Sequence, residues 1–230
     1  MRLVYSLIFI VALSLVFTSS IKKHSKIFYT IASIIGAGTI IYEIYRLLTN
    51  VKLHGFIGEF EKASMKGNFS IAFFILVMFA GALNPKWKIT KKLLSIRSES
   101  AILGSILIFP HVIMYLVRFM VKLSNHKPIT TLYVVYLIVG LIAFIIMIPL
   151  FKTSLKKYRS KMKFAQWKKL QRWAYPFYLL VYIHIVLSIL NGKEIDMLKL
   201  TLYTILFGSY FILKLIKTSK INKKNSTSNM

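Results

Sequence analysis

Apolar runs of about twenty residues follow one another along this chain with only short basic connections between them, which leaves very few ways to fold. In a bilayer each backbone N–H and C=O must find its partner inside the protein. Long unbroken apolar runs, rather than alternating ten-residue ones, satisfy that as helices. Seven helices are expected, at Leu3–Ser20, Ile27–Leu48, Asn68–Pro85, Ser100–Val121, Ile129–Phe151, Ala174–Leu190 and Leu198–Ile216. The expected fold is all-α, a polytopic transmembrane helical bundle of about seven helices. With 57% hydrophobic residues in 230, little chain lies between the spans, too little for a nucleotide-binding domain of roughly 100–150 residues. Any soluble redox or catalytic module is expected to come from another chain.

The formal charge of +26 is set mainly by lysines in the short loops, so it reads as topology and not as a nucleic-acid surface. Of the 32 Lys and Arg, 22 fall on the side holding the first, third and fifth loops and the tail, whereas five of the six acids fall on the other. The positive-inside bias then puts loops Lys86–Arg97 and Lys152–Arg172 and the C-terminus in the cytoplasm, with the N-terminus outside. Localisation is expected to be the cell membrane, with lipid as the surrounding partner and no nucleic acid. Cysteine is absent, which excludes disulfides, thiolate-held iron–sulfur clusters and cysteine nucleophiles.

Three regions follow from this pattern. Residues 1–26 are an N-terminal transmembrane helix and basic loop, 27–217 the main bundle, and 218–230 a cytoplasmic polar tail, disordered from Asn222. The first run resembles a signal-peptide core, but Lys22, Lys23 and Lys26 follow it and only Arg2 precedes it, the reverse of a signal peptide's polarity, so it is read as a retained helix. Asn50–Gly67 is read as an external amphipathic loop or interfacial helix. Trp87, Trp167 and Trp173 are expected to be interface anchors.

His111 and His184 sit near the middle of two apolar spans, where an imidazole is costly unless paired. Each is about 18–21 Å from the preceding arginine, Arg97 or Arg172, and about 14–16 Å from the following lysine, Lys122 or Lys193, at about 1.5 Å per residue. Both helices run the same way in this topology, so the rings are level. A haem held between two helices needs an axial nitrogen from each at one depth, with small or apolar neighbours. Gly104, two turns before His111, would make room; Arg118, two turns after it, would meet a propionate; Tyr115 would line the site. A proton relay, a transition-metal site and a merely structural histidine pair are the other readings. His24, His54 and His126 are read as solvated loop residues, with one of the external pair, His54 or His126, still able to serve a second cofactor or a docking protein.

Two segments resemble a known family. Ser95 to Tyr115, SIRSESAILGSILIFPHVIMY, is similar to the basic-turn, glycine, histidine, tyrosine pattern of the ferric reductase-like transmembrane family. Trp167 to His184, WKKLQRWAYPFYLLVYIH, is similar to its following loop-to-helix motif. The likeness is nearest to the membrane haem subunits of bacterial methionine sulfoxide reductase systems and more distant to NADPH oxidases, and it covers roughly Asn68 to Ile216. It implies a six-helix core plus the N-terminal helix. It also implies a b-type haem ligated by His111 and His184 and electron transfer from a cytoplasmic or quinol donor to an extracytoplasmic acceptor. A flavoprotein or reductase is then expected as redox partner, with this chain the electron-transfer subunit of an oxidoreductase. Two-haem relatives carry another histidine thirteen residues before the deep one, where this chain has Gln171. That puts a second haem in question and leaves a quinone or flavin headgroup near Gln171, Arg172 and Trp173 as an alternative. Against all of this stands a non-redox transporter or assembly protein in which the histidines gate or pack.

Overall fold

A computed structural model describes residues 2–192 and 194–227, with side-chain surroundings given through Lys220; residue 1, Lys193, which marks the depth of His184 on one side, and residues 228–230 lie outside the described residues. The described residues form helices and connecting turns without strands. In chain order they are α1 (Arg2–Val16), α2 (Thr18–Lys23), α3 (Ser25–Thr49), α4 (Gly55–Met65), α5 (Asn68–Ala82), α6 (Lys88–Ser95), α7 (Arg97–Ser124), α8 (Thr131–Ser154), α9 (Lys156–Arg159), α10 (Phe164–Gln171), α11 (Ala174–Leu190) and α12 (Met197–Thr227). Five segments are long and apolar enough to cross a membrane: α3, α7, α8, the α10–α11 stretch and α12 to Lys220; α4 and α5, joined at a 59° bend, make a sixth if taken as one broken span. This is a multi-pass membrane protein.

Two of the seven expected spans therefore differ from the structure. The first run is only 15 residues of helix, about 22 Å, short of the roughly 30 Å hydrocarbon core. The third is equally short alone and reaches span length only if α4 is counted with it across the bend. At the C-terminal end, α12 continues to Thr227, so the polar segment from Asn222 begins as helix and not as a disordered tail.

At the centre lies α5. Its sequence is apolar on every face, and every residue from Asn68 to Met78 is buried, as a helix without a polar face must be. One side packs Phe69, Ala72, Phe73 and Leu76 against Ile10, Ala32, Leu103 and Leu107 of α1, α3 and α7. Another packs Ile71, Ile75 and Met78 against Tyr178, Tyr203 and Phe207 of α11 and α12. Phe74 turns toward Met147 of α8 and Phe177 of α11. Large apolar side chains on the outer faces, such as Ile34, Ile41, Ile205 and Phe211, stay exposed because their solvent is lipid.

Three polar devices fix this packing. Ser70 Oγ donates to the Gly104 carbonyl at 2.7 Å, joining α5 to α7. Lys217 Nζ donates to the Gly81 and Leu83 carbonyls at 2.9 and 3.0 Å, a cation on the C-terminal end of α5 where helix carbonyls have no partner of their own. Glu43, 2% exposed, accepts from Arg46 and Arg118, tying α3 to α7.

Candidate functional site

Pro110 precedes His111 inside α7 and has no N–H to give, so the helix loses a rung there. The ring packs on α3 at Gly36, where a Cβ would stand 3.3 Å from Pro110 Cγ. One residue on, His111 meets the α4–α5 bend. Its Nδ1 lies 3.2 Å from the Met65 carbonyl oxygen. The bend itself needs Gly67, whose φ of +72° is left-handed and where an added Cβ would lie 3.0 Å from Ile108 Cδ1 and 3.5 Å from the His111 ring.

His184, on α11, is held in the same manner from α8, with Nδ1 2.8 Å from the Tyr136 carbonyl oxygen. A carbonyl can only accept, so in both rings the proton is assigned to Nδ1, which donates, and Nε2 keeps its lone pair. The ring centroids stand 6.0 Å apart with the planes at 86°. Gly140, one turn after Tyr136, makes this possible: a Cβ there would lie 2.7 Å from His184 Nδ1 and 2.8 Å from Cε1. Gly140→Ala is expected to cost about 1–3 kcal/mol through forced repacking, read as a lower thermal midpoint of the purified protein. Gly38→Ala should cost nothing by this route, since a Cβ at Gly38 meets no atom within 4 Å.

Both rings line a cavity of about 340 Å³ between α5, α7, α8 and α11. Its walls are apolar, including Phe74, Ile108, Phe144, Met147, Phe177 and Val181. Tyr115 also lines it, with its ring 4.5 Å from that of His111. Arg2, Lys66 and Lys199 stand at its mouth. No group of three or more His, Asp or Glu side chains able to hold a metal occurs among the described residues. Two imidazoles are too few for a protein-only transition-metal site. They suit a metal that arrives with other donors already in place. With ring centroids 6.0 Å apart, His111 and His184 would be the residues to hold such a metal.

Two expected site residues fall elsewhere. Gly104 does not line the cavity; a Cβ there would be 3.1 Å from both Phe73 Cβ and Phe74 Cε1, so it is a contact glycine between α7 and α5. Arg118 also misses the cavity lining, because Glu43 takes its guanidinium, Met65 Sδ lies 3.7 Å from Nη1 and the Tyr115 ring lies 5.8 Å from Cζ. The buried carboxylate wins it from the cavity. Gln171 and Arg172 belong to a separate hollow of about 270 Å³ at the opposite end of the bundle, lined also by Arg97, Trp167, Lys168 and Lys214. Gln171 Nε2 donates to Thr153 Oγ1 at 3.1 Å, and the lining holds no histidine. His24, His54 and His126 are exposed. Asn50–Gly67, expected as an external loop or interfacial helix, instead buries Glu61, Ala63, Ser64 and Met65 and supplies the carbonyl that holds His111.

Residues 66–182, just over half of the chain, match the family described as "Ferric reductase like transmembrane component". A protein of Treponema pallidum (strain Nichols), described only as uncharacterised, is 31% identical over 155 residues. The match takes in 65% of this chain and 43% of that relative, so the chain spans less than half of the relative's length. The matched family segment runs from the α4–α5 bend into α11 and includes His111, Tyr136 and Gly140.

Proposed function

The chain belongs to the ferric reductase-like transmembrane family, and from that membership and the site geometry we propose that it carries electrons across the membrane on one b-type haem held between His111 and His184. One observation carries the reading: two imidazoles, each anchored through Nδ1 to a backbone carbonyl, face one apolar cavity with centroids 6.0 Å apart. Bound there, the haem supplies a one-electron carrier. Held by both His111 and His184, it would supply one-electron transfer and no site for oxygen.

The protein's own part is to hold and to exclude. The Met65 and Tyr136 carbonyls fix each ring's tautomer and raise the basicity of the free nitrogen. The Phe74, Phe144 and Phe177 walls keep water from the ring edges. The T-shaped pair Phe74–Phe177, with centroids 4.9 Å apart, stiffens the side nearest α5 and α11.

In this reading the basic end is cytoplasmic and the N-terminus outside. Electrons arrive there from a quinol or a flavoprotein and leave at the opposite face to an extracytoplasmic reductase or acceptor. The cationic segment 152–172 is the docking surface for an acidic donor. A quinone or flavin headgroup in the hollow beside Gln171 and Arg172 is the form this electron inlet would take, and a second haem there would lack its histidine.

The absorption spectrum of the purified, dithionite-reduced protein tests the proposal. A Soret band with a sharp alpha band at about one haem per chain is expected. A colourless preparation from haem-replete cells would sink it.

A further inference from the structure

The cavity combines apolar walls with a small set of charged lining residues. Besides the rings and walls already named, its lining includes Arg2, Lys66 and Lys199, with Asp196 as its acid. These charges are not equivalent. Arg2 is already satisfied, since Nε and Nη2 donate to the two carboxylate oxygens of Glu59 at 2.6 and 3.1 Å. Asp196 Oδ1 accepts from the Lys199 backbone N–H at 2.9 Å, so it serves as the cap of α12. The ammonium groups of Lys66 and Lys199 have no hydrogen-bond or ion-pair partner among the described residues.

Lys66 is placed with unusual economy. It stands between Met65, whose carbonyl holds His111, and Gly67, whose Cα backs onto the same ring. The residue that carries the charge is thus pinned to the ring by both its neighbours. Lys199, in the first turn of α12, lines the same cavity.

We propose that Lys66 and Lys199 bind the two carboxylates of the macrocycle seated between His111 and His184. The inference rests on the haem reading and adds to it an orientation: the propionate edge lies at the mouth lined by Arg2, Lys66 and Lys199, and not at Arg118, which Glu43 occupies. The chemistry is complementary part for part. An apolar disc meets the phenylalanine walls, a central metal meets two lone pairs, and two carboxylates meet two ammonium groups that have no other acceptor. Without these anions the lining keeps a net positive charge beside an apolar cavity, because Asp196 offsets only one of the two ammonium groups.

The test compares haem with haem dimethyl ester, which has the same ring and iron but no carboxylate charge. Each is titrated into full-length protein purified from haem-starved cells, and binding is read from the low-spin bis-imidazole spectrum. Wild type should bind haem about tenfold or more tighter than the ester. Lys66→Gln with Lys199→Gln should bring that ratio to about one while leaving ester affinity unchanged, a result that a merely misfolded variant cannot give. Equal affinities in wild type, or a ratio that survives in the double variant, would overturn the assignment. A ratio lost instead in Arg118→Gln would move the carboxylates to that residue and overturn it too. Failure of both ligands to give the low-spin spectrum would instead remove the haem reading itself, and so separates the two failures.

Discussion

Purified His111→Ala and His184→Ala proteins are each expected to lose most of their haem, measured as haem per chain by the pyridine haemochrome, while His24→Ala keeps a full complement. In the proposed site the two rings act as a unit on one metal. Removing either leaves the other imidazole facing an apolar cavity with nothing to replace the lost donor, because no third metal-ligating side chain joins them among the described residues. The double substitution should therefore be scarcely worse than either single one, the non-additivity expected of groups that share one partner. His24 is the proper control, since it is exposed at the turn between α2 and α3. Full low-spin haem in either deep variant would refute the pairing.

The pair could be read from the sequence because depth in a membrane is counted from charges. Arg97 and Lys122 bracket one ring as Arg172 and Lys193 bracket the other, and parallel helices then make them level. The long spans were legible for the same reason, an apolar run that only a helix can satisfy. Other parts turn on packing that no periodicity encodes. Gly140 and Gly104 look alike as glycines in apolar spans; only the neighbouring helix decides that a Cβ would strike His184 in one case and Phe73 in the other. The backbone carbonyls of Met65 and Tyr136 carry no sequence signal at all. The α4–α5 bend had one faint mark, Lys66-Gly67 before an apolar run. Its use, bringing α4 back to hold His111, depends on a left-handed glycine that composition does not announce. The pairing of Arg118 with Glu43 has no local signal either, because the two lie 75 residues apart on different helices.

That last pairing carries the second large effect. Glu43→Ala is expected to destabilise the protein by about 3–5 kcal/mol, read from unfolding of the purified protein in micelles, because it removes the buried partner of two guanidiniums that are themselves only 31% and 27% exposed. Arg46 and Arg118 share one carboxylate that is itself 2% exposed, and each is partly open at the surface. Glu61, whose buried Oε1 has no hydrogen-bond partner, stands ready to take one of them, which points to the lower part of that range. Glu43→Ala with Glu61→Ala should then cost clearly more than the sum of the two single losses. By contrast, exchanging Glu43, Arg46 and Arg118 together for leucine or methionine should recover most of the stability, since the desolvation cost of the charges disappears with them. The site would still register the exchange: Arg118 touches Met65 Sδ and lies over Tyr115, and these two residues bear directly on His111. A triple variant as stable as wild type yet weaker in haem would show the cluster positioning His111; one unchanged in both would reduce it to a tie between α3 and α7.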